Sequence, residues 1–262
     1  MIHKPPALQM LTVGAGEASR AFAFRRRDGG VGPTWVWLGG FRSDMASTKA
    51  SALDAHCAAA ERPFLRFDYS GHGESAGEFT DGTISRWLEE SLATVREQTA
   101  GPVLLIGSSM GGYLALLLAR ALHATGQSAR LAGMVLIAPA LDMTESLLWA
   151  SLPAHAKAAI ESDGVWSLPS AYGSNAFPVT RALIEDGRRN LLMGSVVRTH
   201  CPAVILQGAM DPDVPLAHTQ KAFGDMAMDP VMLTIVKDGD HRLSRPQDLA
   251  MLIAAAERLS AP

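Results

Sequence analysis

Short apolar runs alternate with helical segments along most of the chain, and this alternation constrains the fold more than any other feature. Such runs are typical of strands buried on both faces, which occur in parallel sheets covered by helices. We therefore predict an α/β fold with a mostly parallel central sheet and helices on both faces, with antiparallel edge strands from residues 8–26. The predicted strands are residues 35–38, 64–67, 103–106, 134–138, 204–206 and 232–236, and the predicted helices are residues 48–60, 84–97, 112–123, 216–226 and 247–259.

The stretch of residues 141–189 interrupts this alternation. It contains scattered apolar and aromatic side chains together with Pro153, Pro169 and Pro178, and it lacks a convincing strand. A connection of this length between two core strands is too long for a simple loop. We predict a small helical cap at residues 141–189, inserted into a core formed by residues 1–140 and 190–262.

Composition and charge exclude several classes of protein. The 262 residues are 48% hydrophobic with a formal net charge of −3, which suits one domain and provides no basic surface for nucleic acid. No apolar run approaches membrane-spanning length, so we expect no stable membrane insertion. The two cysteines, Cys57 and Cys201, lack metal-ligand spacing, and we expect both to be reduced and buried. The first residues do not resemble a targeting segment, so we expect a cytoplasmic protein, of an oligomeric state that the sequence leaves open.

Residues 103–112 join an apolar strand to an Ala- and Leu-rich helix through a Gly-x-Ser-x-Gly turn centred on Ser109. This layout is typical of a nucleophile elbow, in which a serine stands on a sharp strand-to-helix turn. Side chains at Gly107 or Gly111 would crowd such a turn. Residues 73–77 match the same pattern around Ser75, but they lie in a polar loop without a flanking strand or helix. We therefore predict that Ser109 is a nucleophile and that Ser75 is a loop residue.

A serine nucleophile needs a base and an acid that orients the base. Asp211 follows the predicted strand 204–206, and His241 follows the predicted strand 232–236. Both residues therefore lie with Ser109 at the carboxyl edge of the sheet, where open α/β sheets place their sites. We predict that His241 takes the serine proton while Asp211 orients its imidazole, with Asp213 as the rival acid. We interpret His72, which lies near these loops, as structural.

The loop after the first core strand is the candidate oxyanion loop. Its Gly39-Gly40 pair permits a close approach of the chain to the site, and Phe41 follows directly. We predict that the backbone N–H groups of Phe41 and Met110 bind the oxyanion of a tetrahedral intermediate. Arg42 is open to two interpretations, an anchor for a substrate carboxylate or a member of a surface or structural ion pair.

The cap supplies the candidate substrate pocket. Its apolar residues Leu147, Leu148, Trp149 and Trp166 are suited to line an acyl pocket. The chemistry of a serine, a histidine and an aspartate needs no metal and no organic cofactor, so we predict none. The expected partner is a small-molecule or acylated substrate, and we expect no nucleic acid.

Several longer motifs carry a family resemblance: residues 40–45 with 48–50, residues 66–71, residues 107–112, residues 164–170 and residues 240–242. The chain resembles the α/β-hydrolase superfamily over nearly its whole length. More narrowly, it is similar to the branch named for α/β-hydrolase domain-containing protein 10 and its bacterial relatives. That branch contains acyl-protein thioesterases and acyl-glucuronide esterases, so the resemblance implies ester or thioester hydrolysis with Ser109, Asp211 and His241 as the triad.

Two alternatives share these residues. A carbon–carbon bond hydrolase of vinylogous ketoacids uses the same triad, and Arg42 as a carboxylate anchor is its best support in the sequence. A non-catalytic ligand-binding protein on the same fold is the second alternative, although such proteins often lose a triad member and all three are present here. The sequence leaves the substrate and its acyl-chain length open.

Overall fold

An eight-stranded sheet forms the centre of the protein in the computed structural model, which describes residues 4–30, 32–168 and 176–261. The strand order is β1-β2-β4-β3-β5-β6-β9-β10, and the remaining strands, β7 and β8, pair with each other elsewhere. The strands are β1 Leu8–Val13, β2 Arg20–Arg27, β3 Thr34–Leu38, β4 Phe64–Phe67, β5 Val103–Ser108, β6 Leu131–Ile137, β7 Val165–Leu168, β8 Phe177–Thr180, β9 Ala203–Gly208 and β10 Val231–Val236. The helices are α1 Thr48–Ala59, α2 Ile84–Gln98, α3 Met110–Ala124, α4 Ala154–Asp163, α5 Arg181–Arg188, α6 Leu216–Asp225 and α7 Pro246–Ser260.

The directions of the strands confirm the predicted mostly parallel sheet. Strands β4, β3, β5, β6, β9 and β10 run parallel to their neighbours in that series. Strand β2 pairs antiparallel with both β1 and β4, which places the predicted antiparallel strands at one edge. Because the six parallel strands point the same way, the loops that follow them share one edge of the sheet.

Alternate side chains of the central strands enter two separate apolar clusters. In β3, Val36 and Leu38 belong to the cluster that contains Trp87 of α2 and Tyr113 of α3. Trp35 and Trp37 belong to the opposite cluster, with Leu53 of α1 and Leu252 of α7. This period of two buries both faces of the sheet under helices, as the continuous apolar runs predicted.

The cap region differs from its prediction in one respect. It contains helices α4 and α5 and a short π-helical segment, Thr144–Trp149, but it also contains β7 and β8, which pair antiparallel. The prediction that this region lacks strands is wrong. Both strands are only four residues long and partly exposed, and β8 includes Pro178, so they lack the long apolar runs of the core strands. Pro169 and Ser170 of the predicted cap motif lie outside the described residues, and the boundaries 141–189 stay a prediction.

Both cysteines are free and buried, as predicted. Burial raises the pKa of the Cys57 thiol and of the Cys201 thiol to about 12. Within the part of the chain that the structure describes, no helix is long and apolar enough to cross a membrane.

Candidate active site

Ser109 occupies a strained turn between β5 and α3. Its φ is 54° and its ψ is −116°, a conformation that residues with a side chain rarely adopt. The turn is held by the backbone, because Ser109 N–H donates to the Ile137 carbonyl at 2.8 Å and the Ser109 carbonyl accepts from Ala140 N–H at 3.1 Å. Helix α3 begins at Met110, two residues earlier than predicted. The serine therefore stands at the helix N-terminus, which favours negative charge.

The glycines of this turn are required by close backbone contacts. A β-carbon on Gly111 would lie 2.0 Å from the Leu38 carbonyl oxygen, and one on Gly107 would lie 2.3 Å from the Gly111 carbonyl oxygen. Both distances are far below van der Waals contact. The turn can therefore pass between β3 and β5 only with glycine at both positions.

The second Gly-x-Ser-x-Gly sequence has a different structure. Ser75 lies in a loop, where its hydroxyl donates to the Asp68 carbonyl at 2.7 Å and accepts from Ala23 N–H at 2.8 Å. Both functions of the hydroxyl are thus used to join the loop to β2 and to the end of β4. The interpretation of Ser75 as a loop residue is confirmed.

Asp211 and His241 meet at the carboxyl edge of the sheet. Asp211 follows β9, His241 follows β10, and His241 Nδ1 lies 2.8 Å from Asp211 Oδ2. The Asp211 side chain is fully buried, and its Oδ1 accepts the N–H groups of Asp213 at 2.9 Å and Val214 at 2.8 Å. A carboxylate with these partners is fixed in place, and its bond to Nδ1 leaves the other ring nitrogen, Nε2, for proton exchange.

Gln207 contacts Asp211, the predicted acid, and was not among the predicted site residues. The side chain is buried at the end of β9, and its Nε2 lies 3.2 Å from Asp211 Oδ2 and 3.0 Å from the Val214 carbonyl oxygen. Its Oε1 accepts from the Thr219 hydroxyl at 2.7 Å, which fixes the orientation of the amide. An amide at the end of an otherwise apolar strand, four residues before the acid, is the signal that the sequence contained.

Phe41 and Arg42 form a turn beside Ser109, the predicted nucleophile. A β-carbon on Gly40 would lie 3.5 Å from the Ser109 β-carbon, so the chain passes next to the serine at that point. Arg42 has a φ of 60°, and its N–H donates to His72 Nε2 at 3.2 Å. Among the described residues, neither Phe41 N–H nor Met110 N–H has an acceptor. Two backbone donors beside a serine are what an oxyanion requires.

The Ser109 hydroxyl has no hydrogen-bond partner among the described residues, His241 included. Such contacts are often long in unliganded enzymes and shorten when substrate binds. The structure therefore brings Asp211 and His241 into contact and places Ser109 at the same sheet edge.

Comparison with known proteins identifies the family of the chain. Residues 16–252 match the model of the alpha/beta hydrolase family. The chain belongs to this family. It is 30% identical, over 99% of its own length and 88% of the relative, to the protein named palmitoyl-protein thioesterase ABHD10, mitochondrial, of Mus musculus. The identity to the Homo sapiens protein of the same name is 31%, over 88% of this chain and 74% of that protein.

Solved structures give the same assignment. A putative hydrolase from Agrobacterium vitis S4 is 44% identical and superposes with a TM-score of 0.94, covering 98% of this chain and 100% of that one. Alpha/beta hydrolase domain-containing protein 10 from mouse is 28% identical with a TM-score of 0.82, covering 96% of this chain and 98% of that one. These similarities confirm the family and the fold predicted from the motifs.

In this member of the alpha/beta hydrolase family, Arg42 faces the cap. Its guanidinium lies 4.6 Å from the centroid of the Phe177 ring, and the Phe41 ring packs edge-on against the same ring at 5.7 Å. Within the described residues Arg42 forms no ion pair, so its exposed charge is stabilised by the aromatic face. The predicted oxyanion loop and the predicted cap are therefore joined through Phe177.

The four predicted pocket residues pack in two places. Leu147 and Leu148 contact the central apolar cluster, whereas Trp149 and Trp166 contact a small cluster within the cap. The Arg188 guanidinium also lies over the Trp149 ring, 4.9 Å from the ring centroid, and Trp166 packs edge-on against His155. Their role in binding an acyl chain stays a prediction.

Asp213 lies close to the acid–base pair. One of its carboxylate oxygens lies within 4.8 Å of ligand atoms of Asp211 and His241, which is close enough for a shared cation. Both oxygens of Asp211 already accept hydrogen bonds. This arrangement is suited to orienting a histidine rather than to binding a metal. That the site uses no metal and no cofactor stays a prediction.

Proposed function

We propose that this hydrolase cleaves carboxylic ester or thioester bonds through an acyl-enzyme formed on Ser109. The observation that carries the proposal is the hydrogen-bonded pair of Asp211 and His241 at the same sheet edge as a serine held in a strained elbow. The relatives named palmitoyl-protein thioesterase support an acyl substrate, either a small molecule or an acylated protein. The apolar residues of the cap are the candidate walls of the acyl pocket.

Acylation begins when Ser109 Oγ attacks the acyl carbon and His241 Nε2 accepts the hydroxyl proton. The buried Asp211 carboxylate stabilises the imidazolium and keeps Nδ1 as the protonated donor. The N–H groups of Phe41 and Met110 donate to the oxygen that becomes negative. Collapse of the intermediate breaks the carbon–oxygen or carbon–sulfur bond, and the imidazolium gives its proton to the departing alcohol or thiol.

Deacylation repeats these steps with water. His241 Nε2 accepts a proton from water, which attacks the acyl carbon, and the same two N–H groups stabilise the second intermediate. The intermediate releases the carboxylic acid, and the imidazolium returns a proton to Ser109 Oγ. No redox partner is consumed, so the balance needs only substrate and water.

Hydrolysis of p-nitrophenyl esters and acyl-coenzyme A thioesters across a series of chain lengths tests the proposal. We expect turnover in the wild type and its loss in Ser109→Ala, with a preference for chain length that reports the size of the pocket. Ser128→Ala, before β6 at the opposite edge of the sheet, is the matched control and retains turnover. Folded wild-type protein without activity on any ester or thioester would shift the assignment to a carbon–carbon hydrolase or a ligand-binding protein.

The cytoplasmic location remains a separate prediction. The relatives reported above carry the word mitochondrial in their names. Imaging of the tagged full chain in its own cells distinguishes the two locations.

A further inference from the structure

We propose that His72 is a positioning residue for the oxyanion loop, which we define as residues 39–45. Its imidazole holds the backbone of Arg42 so that the N–H of the preceding residue, Phe41, points toward the acyl oxygen. The inference rests on the proposed function, and it assigns a role to a buried histidine outside the triad.

Two hydrogen bonds fix the peptide units on either side of Phe41. The Gly40 carbonyl accepts from Ser43 N–H at 3.1 Å, and Arg42 N–H donates to His72 Nε2 at 3.2 Å. In a trans peptide the carbonyl and the N–H point in opposite directions. Because the Gly40 carbonyl points into the turn, Phe41 N–H points out of it.

The conformation of Arg42 explains why an anchor is needed. Its φ of 60° lies in the left-handed region, which a residue with a side chain adopts only when its surroundings impose it. The hydrogen bond to His72 is the backbone contact that holds Arg42 there. Loss of that bond allows Arg42 to return to a negative φ, which rotates the adjoining peptide and moves Phe41.

His72 is itself rigid and has a defined tautomer. The side chain is buried, and its ring packs against Tyr69, Phe79 and Trp87 at centroid distances of 5.7, 5.2 and 5.3 Å. Nδ1 lies 3.3 Å from the Ser70 carbonyl oxygen, so the proton resides on Nδ1 and Nε2 is the acceptor. Burial lowers the pKa of His72, which keeps the ring neutral.

The same aromatic cluster holds the side chain of Phe41. The Phe41 ring lies 5.0 Å from the Phe79 ring and 6.0 Å from the Trp87 ring, the two rings that also contact His72. The cluster thus fixes the ring of Phe41, while His72 fixes the following N–H. Both ring nitrogens of His72 are engaged, so its role is positional and not proton transfer.

A second contact holds the far end of the loop. Asp68 Oδ1 accepts Met45 N–H at 2.6 Å, and Asp68 Oδ2 accepts Glu74 N–H at 2.9 Å. The segment after β4 therefore holds the oxyanion loop at Arg42 through His72 and at Met45 through Asp68. Of these two anchors, only His72 contacts the residue next to the predicted oxyanion donor.

The experiment compares His72→Phe with His72→Gln. Phenylalanine retains the aromatic packing but removes the acceptor, whereas the glutamine oxygen can reach the position of Nε2. We expect His72→Phe to lower kcat on p-nitrophenyl esters roughly 10- to 100-fold with less than a twofold change in KM, since loss of a whole oxyanion donor costs about 100- to 1,000-fold. We expect His72→Gln to recover most of the lost kcat.

Active-site titration with a p-nitrophenyl phosphonate expresses kcat per functional site, which removes any effect of a smaller folded fraction. His123→Phe, on α3 at the opposite edge of the sheet, is the matched control with wild-type kcat. If His72→Phe does not accumulate as folded protein, His72→Asn keeps a donor near Ser70 but is too short to reach Arg42. Wild-type kcat per site in His72→Phe or His72→Asn overturns the proposal, as does a loss that His72→Gln does not relieve.

Amide hydrogen exchange of Arg42, measured by NMR, tests the anchor without turnover. We expect faster exchange in His72→Phe and near wild-type exchange in His72→Gln, because only the first removes the acceptor. Unchanged amide exchange of Arg42 in His72→Phe overturns the inference even if the kcat of that variant is lower. Failure of the proposed function has a different signature, which is wild-type protein without turnover or Ser109→Ala with full turnover.

Discussion

Two loops of this protein contain the same five-residue pattern around serine, and they use it in opposite ways. At residues 107–111 the backbone is strained and the Ser109 hydroxyl makes no hydrogen bond to a described residue. At residues 73–77 the Ser75 hydroxyl donates one hydrogen bond and accepts another. The first loop leaves its serine oxygen without a described partner, as the proposed nucleophile requires, and the second uses its oxygen to connect two parts of the fold.

The difference comes from the flanking segments. Ser109 joins a parallel strand directly to a helix, and that connection requires a sharp turn whose glycines contact the backbone of β3 and α3. Ser75 lies in a polar loop after β4, where its hydroxyl is hydrogen-bonded to the backbone groups of Ala23 and Asp68. The strand or helix that flanks a short serine motif therefore determines the conformation and the contacts of the serine.

The largest expected effect is the loss of kcat when Ser109, rather than Ser75, is replaced. Ser109→Ala removes the proposed nucleophile, and we expect kcat to fall by roughly 10⁶-fold, as for loss of a member of a triad that acts as a unit. The measurement is ester hydrolysis with purified protein, corrected for folded fraction by circular dichroism. Activity in Ser109→Ala within tenfold of the wild type would contradict the assignment of the nucleophile.

The next effect concerns Asp211, the carboxylate that is hydrogen-bonded to His241. Asp211→Asn preserves the shape of the acid, but its amide favours the wrong tautomer of His241, so we expect a loss of about 10⁴-fold in kcat. Asp213→Asn is the matched comparison, since Asp213 contributes a backbone N–H to Asp211 whatever its side chain. An equal or larger loss in Asp213→Asn would identify Asp213 as the orienting acid.

The sequence could predict those features that depend on the order of strands and helices along the chain. Ser109, Asp211 and His241 each follow a predicted parallel strand, so their meeting at one edge followed from the topology. His72 could not be assigned in this way, because its contact with Arg42 joins residues that lie thirty positions apart. Gln207 contacts Asp211 and Thr219, which are close to it in the chain, and its role was missed because a single amide at the end of an apolar strand is a weak signal. Strands β7 and β8 were missed because short, half-exposed strands lack a long apolar run.

A third test addresses the loop that contains Ser75. Burial, opposed by the Met45 and Glu74 N–H groups and supported by the charges of Asp44 and Glu74, raises the pKa of Asp68 from 3.8 to about 6. The folded state therefore binds this proton more tightly than the unfolded state does. The contribution of Asp68 to the free energy of unfolding decreases as pH rises from about 4 to 6, by at most about 3 kcal/mol.

Urea denaturation of the wild type and of Asp68→Asn at pH 4, 5, 6 and 7 measures this contribution. We expect the wild type to lose stability relative to Asp68→Asn across this interval, because asparagine does not titrate. A stability difference between the two proteins that is constant with pH, or that changes in favour of the wild type as pH rises, would contradict the prediction.

The smallest effect belongs to Ser75 and completes the comparison. Ser75→Ala leaves the Ala23 N–H and the Asp68 carbonyl without the hydroxyl that joins them, and we expect a loss of about 1–2 kcal/mol in the free energy of unfolding. The kcat per titrated active site should stay within a factor of two, since the hydroxyl takes no part in the reaction. A large fall in kcat with unchanged stability would mean that the second Gly-x-Ser-x-Gly loop acts in catalysis, and the distinction between the two loops would fail.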